Sequence, residues 1–156
     1  MNTEIIEKVV SKWQQTVIVD LDGTLALIEH RRHLVSNGRH DWDEFYKRCV
    51  DDEPNWPVIV TIRSLYQNAL GVLILSGRSE VVRKETEDWL LKYDVPYDGL
   101  VMRPVKDYTP DDELKKSWLD QIGVEKVYCV FDDRQKVVDM WRQQGLTVFQ
   151  VAKGNF

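Results

Sequence analysis

Two carboxylates one residue apart, Asp20 and Asp22, follow directly on Val17-Ile18-Val19 and precede Gly23, Thr24 and Leu25. The apolar run is short, unbroken and rich in Val and Ile, which is the pattern of a strand buried on both faces. Gly23 ends it, because a sharp turn needs a residue free of Cβ strain. The acids are therefore expected at the carboxyl end of a central strand, where open α/β sheets place their chemistry. Packing does not account for two acids there. A divalent cation and a phosphate do: the cation screens the mutual repulsion, and one acid stays free to act as a nucleophile.

Two further apolar runs end in the same way. Val72-Leu73-Ile74-Leu75 leads into Ser76-Gly77-Arg78, and Val127-Tyr128-Cys129-Val130-Phe131 leads into Asp132-Asp133-Arg134. Lys115 and Lys116 fall near the start of a helix that Thr109 or Asp111 begins and Gly123 stops. In a parallel sheet these ends face the same way, so one site combines acids for a cation with donors for an anion. Oxygen-only ligands favour Mg²⁺. Each cluster taken singly has a plainer reading. Asp20 and Asp22 could be turn acids, Ser76-Gly77 an ordinary turn, Asp132-Asp133 a helix cap, and the lysines a solvated face.

The elements that must position these groups can be read from periodicity. Ile5, Ile6, Val9, Val10 and Trp13 recur at helical spacing and predict a helix over 3–14. A strand over 16–20 follows. From 26 to 57 the pattern breaks into charges, aromatics and Asn37-Gly38, which reads as an insertion over the end of the first strand, a small cap. Asp41 is placed to cap a short helix holding Trp42, Phe45, Tyr46 and Cys49. Pro57 opens a helix to about 68, and further helices are expected over 79–92 and 135–144. Short strands are expected over 100–102 and 147–151. Strands alternate with helices throughout, so the expected fold is one α/β domain over 1–156, a parallel sheet with helices on both faces.

At 156 residues, 43% hydrophobic and 30% charged, the chain suits one soluble domain with a proper core. No apolar run approaches a membrane span, and the first residues carry no basic and apolar leader pattern, so a cytoplasmic location is expected. Cys49 and Cys129 are isolated and read as reduced, buried thiols. The net charge of −5 argues only weakly against a nucleic-acid partner, since a local basic patch outweighs the total. The G-x-x-x-x-G-K-[ST] phosphate loop is absent, so no NTP-dependent kinase module is recognisable.

Taken together, Asp20-Leu21-Asp22-Gly23-Thr24, Ser76, Lys115 and Asp132-Asp133 resemble, in order, the four motifs of the haloacid dehalogenase superfamily of aspartate-nucleophile phosphatases. The runs Asp132 to Arg142 and Gln150 to Phe156, with Ser76-Gly77-Arg78 and Asp111 to Lys115, are similar to the 3′-phosphatase domain of phage polynucleotide kinase/phosphatases. The likeness covers about 16–156. The likeness has departures: helix 3–14 stands where that family has its kinase half, the segment after Arg78 is shorter, and the cap sequence differs.

The resemblance implies a Rossmann-like sheet of order 5-4-1-2-3 under a small helical cap. It implies that Asp20 attacks phosphorus to form an aspartyl-phosphate. Asp22 would protonate the leaving oxygen, activate the hydrolytic water, and offer its backbone carbonyl to Mg²⁺. Thr24, Ser76 and Gly77 would hold phosphate oxygens, and Lys115 would neutralise the charge in flight. Arg31 and Arg78 would make bidentate phosphate contacts. Asp133 would bind the metal directly with Asp20, Asp132 would hold Lys115 or a metal-bound water, and Asp111 would orient Lys115. The activity implied is Mg²⁺-dependent removal of 3′-phosphates from DNA or RNA ends in nucleic-acid repair. A separate kinase or ligase is a candidate partner, and the location is the host cytoplasm if the chain is phage-encoded.

His30, Arg31, Arg32, His33, Arg39 and His40 lie in a window where Glu29 and Asp41 flank but do not enter. They read either as a solvated cap surface or as a basic rim for a nucleic-acid backbone, with Arg31 at the surface. Trp42 or Tyr46 could stack on a terminal base, or simply hold the cap together. Trp89, Trp118 and Trp141 read as core. Two rival functions stay open: a phosphatase of free nucleotides or other small phosphomonoesters, and a non-catalytic end-binding partner of a separate kinase.

Overall fold

In the computed structural model, which describes residues 1–154, helix α1 (Asn2–Lys12) leads into the central strand β1 (Thr16–Val19). The end of the resembling C-terminal run, Asn155 and Phe156, lies outside the described residues. A segment follows with a two-stranded ribbon, β2 (Ala26–Leu27) and β3 (Glu53–Pro54), and two short helices, α2 (Glu29–Arg32) and α3 (Trp42–Lys47). The rest alternates: α4 (Trp56–Gln67), β4 (Gly71–Ser79), α5 (Arg83–Lys92), β5 (Gly99–Arg103), α6 (Asp111–Ile122), β6 (Val127–Arg134), α7 (Gln135–Gln143) and β7 (Val148–Gly154).

The main sheet runs β5-β4-β1-β6-β7, and all its pairs are parallel. With the ribbon strands left out of the count, this is the expected 5-4-1-2-3 order. Both faces of the sheet are covered, which is why the strand sequences are continuously apolar. Val17, Val19, Val72 and Ile74 pack on one side with Ile59 and Ile62 of α4 and Trp89 of α5. Ile18, Leu73 and Leu75 pack on the other with Ile6 of α1, Trp118 of α6 and Trp141 of α7. Helix α1 lies close over β5: a Cβ on Gly99 would fall 2.7 Å from Ile5 and 2.9 Å from Val9.

The strands that carry the second and fourth clusters are longer than their apolar runs. β4 continues through Ser76-Gly77-Arg78 to pair Ser79 with Arg103, and β6 continues through Asp132-Asp133 to pair Arg134 with Gly154. Both slip register on the way. The polar clusters therefore sit on irregularities inside strands, not on turns beyond them, and such bulges re-aim side chains. β7 runs to Gly154 for the same reason. A Cβ at Gly154 would lie 2.4 Å from the Asp133 carbonyl oxygen, so only glycine closes that pairing.

Candidate active site

The carboxyl ends of β1, β4 and β6 meet the start of α6 beneath the 26–55 segment. The residues there sort into two clusters, one built on Asp20 and one on Asp22.

Around Asp20, Lys115 reaches in from the second turn of α6. Its Nζ donates to Asp20 Oδ1 at 2.7 Å and to Asp132 Oδ2 at 3.1 Å. Lys115 is 1% exposed, whereas Lys116 points outward to Asp120. Thr24 Oγ1 lies 3.1 Å from Asp20 Oδ2 and 3.4 Å from Asp133 Oδ1. Asp132 is held by its Oδ1, which accepts the Asp133 N–H at 2.9 Å, and by its Oδ2, which accepts the Trp141 indole N–H at 3.1 Å. Oxygens of Asp20, Asp132 and Asp133 all lie within 4.8 Å of one another.

Three buried carboxylates share one ammonium here, and the proton affinities record the shortfall. Burial pushes Asp20 well above the usual carboxylate range against the pull of Lys115, and Asp132 and Asp133 add to the push. Burial and Asp132 raise Asp133 to about 6. For Lys115, burial alone would favour the neutral amine, but Asp132, Asp20 and Asp111 outweigh it and keep the ammonium. A divalent cation among the three acids would relieve this repulsion. An all-oxygen donor set suits a hard ion.

Around Asp22 the charges balance. Arg31 Nη2 donates to Asp22 Oδ1 at 2.8 Å, and Arg78 Nη2 donates to the same oxygen. Both arginines also hold Asp52. Arg31 grips it with Nε and Nη2 at 2.8 and 2.6 Å, and Arg78 Nη2 lies 3.3 Å from it. His30 Nε2 lies 2.6 Å from Asp52 Oδ1, and Trp89 donates to the Asp52 carbonyl at 2.9 Å. Burial would raise Asp22, but Arg78 and Arg31 overcome it and hold the carboxylate down at about 2.

Several expected placements change. Arg31 is not a surface residue; it is fully buried, with its fork on Asp52, its Nη1 on the Phe45 carbonyl at 3.2 Å, and its guanidinium 4.3 Å from the centre of the Phe45 ring. Its donors are committed to protein acceptors, so the expected bidentate phosphate contact does not match this geometry. Arg78 likewise serves Asp22 and Thr86, although its buried Nε has no acceptor among the described residues. Thr24 holds the Asp20 carboxylate. Ser76 is buried, with its Oγ accepting the Arg78 N–H at 3.1 Å. The Asp22 carboxylate belongs to the arginine side, outside the three-acid cluster.

Asp111 does not contact Lys115 through a hydrogen bond. Its carboxylate accepts from Arg103 Nη2 at 2.7 Å and lies 3.3 Å from Arg134 Nη1. It also abuts Gly77, where a Cβ would fall 2.1 Å from Asp111 Oδ1. Arg103 ties this corner together by donating from Nε to the Gly77 carbonyl at 2.9 Å. Sequence reasoning missed Asp52, Arg103, and the tryptophan donors to Asp52 and Asp132. Asp52 stands between Asp51 and Glu53 in the stretch without periodicity.

Asp20, Asp22, Gly77, Lys115 and Asp133 open on one cleft of about 1100 Å³. It is also lined by α3 and by the loop between β5 and α6. Residues 14–156 match the family described as the polynucleotide kinase PNKP phosphatase domain. The chain belongs to this family of polynucleotide kinase phosphatase domains. It is 33% identical over 157 residues to a protein of Autographa californica nuclear polyhedrosis virus described as a bifunctional polynucleotide kinase/RNA ligase. That match covers 97% of this chain and 21% of the viral protein, so the chain spans about a fifth of that relative. A structure of a Pnkp1/Rnl/Hen1 complex contains a chain 38% identical to this one, with a TM-score of 0.79 over 94% of this chain and 48% of that one. The class C acid phosphatase of Bacillus anthracis shares the fold, with a TM-score of 0.63 at 15% identity over 98% of this chain and 72% of the enzyme. For a phosphatase domain of this family, the three-acid cluster is the place where a divalent cation fits. No described helix is long and apolar enough to cross a membrane.

Proposed function

We propose that this chain removes 3′-phosphates from DNA or RNA ends, with Mg²⁺, through an aspartyl-phosphate on Asp20. The supporting observation is the convergence of Asp20, Lys115, Asp132 and Asp133 at one cleft in a chain of this family. Asp20, Asp133, and the backbone carbonyl of Asp22 would hold the ion, with Asp132 beside them. When bound, Mg²⁺ would supply charge neutralisation at the phosphate oxygens.

The chain's own residues do the rest. Lys115 and Thr24 hold the Asp20 carboxylate by its two oxygens, which leaves little freedom to the nucleophile before it attacks phosphorus. Lys115 then stabilises the charge that builds on the transferring phosphoryl group. Gly77 offers a surface without a side chain next to the phosphate. Asp22 stands one residue from the nucleophile as the acid that gives a proton to the leaving 3′-oxygen and later takes one from water. Arg31 and Arg78 set its position. A phosphate drawing Arg78 toward itself would weaken their hold and raise the proton affinity of Asp22 as the leaving group needs it. We further propose that 1–156 acts as one domain, with 26–57 as the cap over the cleft. An RNA ligase or kinase is the kind of partner such a domain would work beside.

The test is a panel of 3′-phosphate, 5′-phosphate and 2′,3′-cyclic-phosphate oligonucleotide ends together with a 3′-mononucleotide, with and without Mg²⁺. The expected result is Mg²⁺-dependent release of phosphate from the 3′-phosphate end. A higher kcat/KM for a 3′-mononucleotide than for the oligonucleotide would overturn end repair in favour of small-molecule turnover.

A further inference from the structure

Two large aromatic side chains, carried on two separate elements that line the cleft, stand in solvent, where the hydrophobic effect opposes them. Trp42, at the start of α3, is 46% exposed, and Tyr108, in the loop between β5 and α6, is 88% exposed. Both line the cleft that holds Asp20 and Asp133.

Neither stands on a loose support. Trp42 is braced edge-on by Phe45, with ring centres 5.7 Å apart, and by Tyr46 at 5.9 Å with the ring planes tilted by 30°. Its helix is capped by Asp41, whose carboxylate lies 3.5 Å from the Glu44 N–H. The backbone on either side of Tyr108 is pinned by one residue. Arg103 Nη1 donates to the carbonyls of Asp107 at 3.2 Å and Thr109 at 2.6 Å. Asp107 Oδ1 accepts the Thr109 N–H at 2.9 Å and closes the same turn. The fold thus commits a half-buried arginine fork to a loop whose tip carries a ring with no aromatic partner among the described residues. The neighbouring Lys106 also lines the cleft and is held at φ +63°, a conformation that lysine rarely adopts without constraint.

We propose that Trp42 and Tyr108 form a clamp that stacks the unpaired bases at the 3′ end of a single strand, delivering its terminal phosphate to Asp20. This rests on the end-phosphatase reading and specifies its substrate as a single-stranded end. Stacking on fixed aromatic faces is the common means of gripping single strands without reading sequence, because every base has a π-face. A paired end would have to expose its bases before the rings could reach them. The cation at Lys106 stands where the backbone of such a strand would pass.

The test compares three substrates with the Trp42→Ala, Tyr108→Ala and double variants: a 3′-phosphorylated single strand, the same strand with abasic residues at its last two positions, and p-nitrophenyl phosphate. The ratio of kcat/KM for the strand to that for p-nitrophenyl phosphate should fall about tenfold for each single variant. Trp42→Phe should restore most of it. In the wild-type chain the abasic strand should lose a comparable factor, and the double variant should no longer distinguish the two strands. Variants that leave the ratio unchanged, while the wild-type chain turns over the strand, would overturn the clamp alone. A wild-type chain that turns over p-nitrophenyl phosphate but no oligonucleotide would overturn both the clamp and the end-phosphatase reading. A double variant that still discriminates against the abasic strand would assign base recognition elsewhere.

Discussion

Asp20 and Asp22 are neighbours but one in the chain, yet they live in opposite electrostatic surroundings. Asp20 shares one ammonium with two other carboxylates, while Asp22 and Asp52 face two guanidiniums. The first cluster lacks positive charge, and the second is complete within the protein. Burial raises both, so the opposite directions of the two shifts come from their partners. The comparison teaches where a cation is needed and where one is excluded. It also shows how one strand end supports two chemically distinct acids: nearest neighbours, not depth, set each one apart.

The sharpest way to break the comparison is to exchange the proposed nucleophile of the first cluster. Asp20→Asn should lower kcat by at least about 10³, because no other oxygen stands in its place, while 3′-phosphorylated strands still bind. Retained turnover in a single-turnover assay would remove Asp20 from covalent chemistry. Next in size is the completeness of the second cluster. Arg31→Ala should cost about 3–5 kcal/mol in urea unfolding, because it leaves buried Asp52 short of its bidentate partner. A loss under about 1 kcal/mol, the range of exposed pairs, would show that Arg31 is not a structural member of the core.

A third test reads the charge deficit directly. The raised affinities of Asp20 and Asp133 mean that both bind protons more tightly folded than unfolded. They favour the folded state at low pH, and that contribution is lost as pH rises through about 6 for Asp133. Mg²⁺ competes with those protons, so it should raise the Tm more at pH 8 than at pH 5. An equal shift at both values would place the ion elsewhere. The smallest effect belongs to His30. It touches Asp52 from a half-open position, with a side chain 36% exposed, while two arginines already serve that acid. His30→Ala should cost no more than about 1 kcal/mol.

The two clusters also differ in how far the sequence reveals them. The Asp20 cluster was legible because each member ends or interrupts an element whose direction the topology fixes. Once β1, β4 and β6 are parallel neighbours, Asp20, Gly77 and Asp133 converge. Lys115 was legible only through the family likeness, since Lys115 and Lys116 are equivalent until the helix face is known. The Asp22 cluster was not legible. Arg31 looks like one cation in a basic window, and the acid that buries it lies 21 residues on, beyond a stretch with no periodicity. Arg78 reads as a phosphate ligand because nothing near it in sequence names Asp52 as its partner. The helix over 79–92 opens with a short 3₁₀ turn, Glu80–Val82, because β4 continues through its bulge to Ser79.

Gly77 carries a consequence of its own. Its backbone is not in the left-handed region that demands glycine, and the nearest obstacle to an alanine there is the carboxylate of Asp111. The restriction is one of space and is imposed from 34 positions downstream. It is therefore negotiable in a way a conformational restriction is not. A lineage in which residue 111 shrinks loses that obstacle, so the two sites should drift together wherever the phosphate tolerates a side chain at 77.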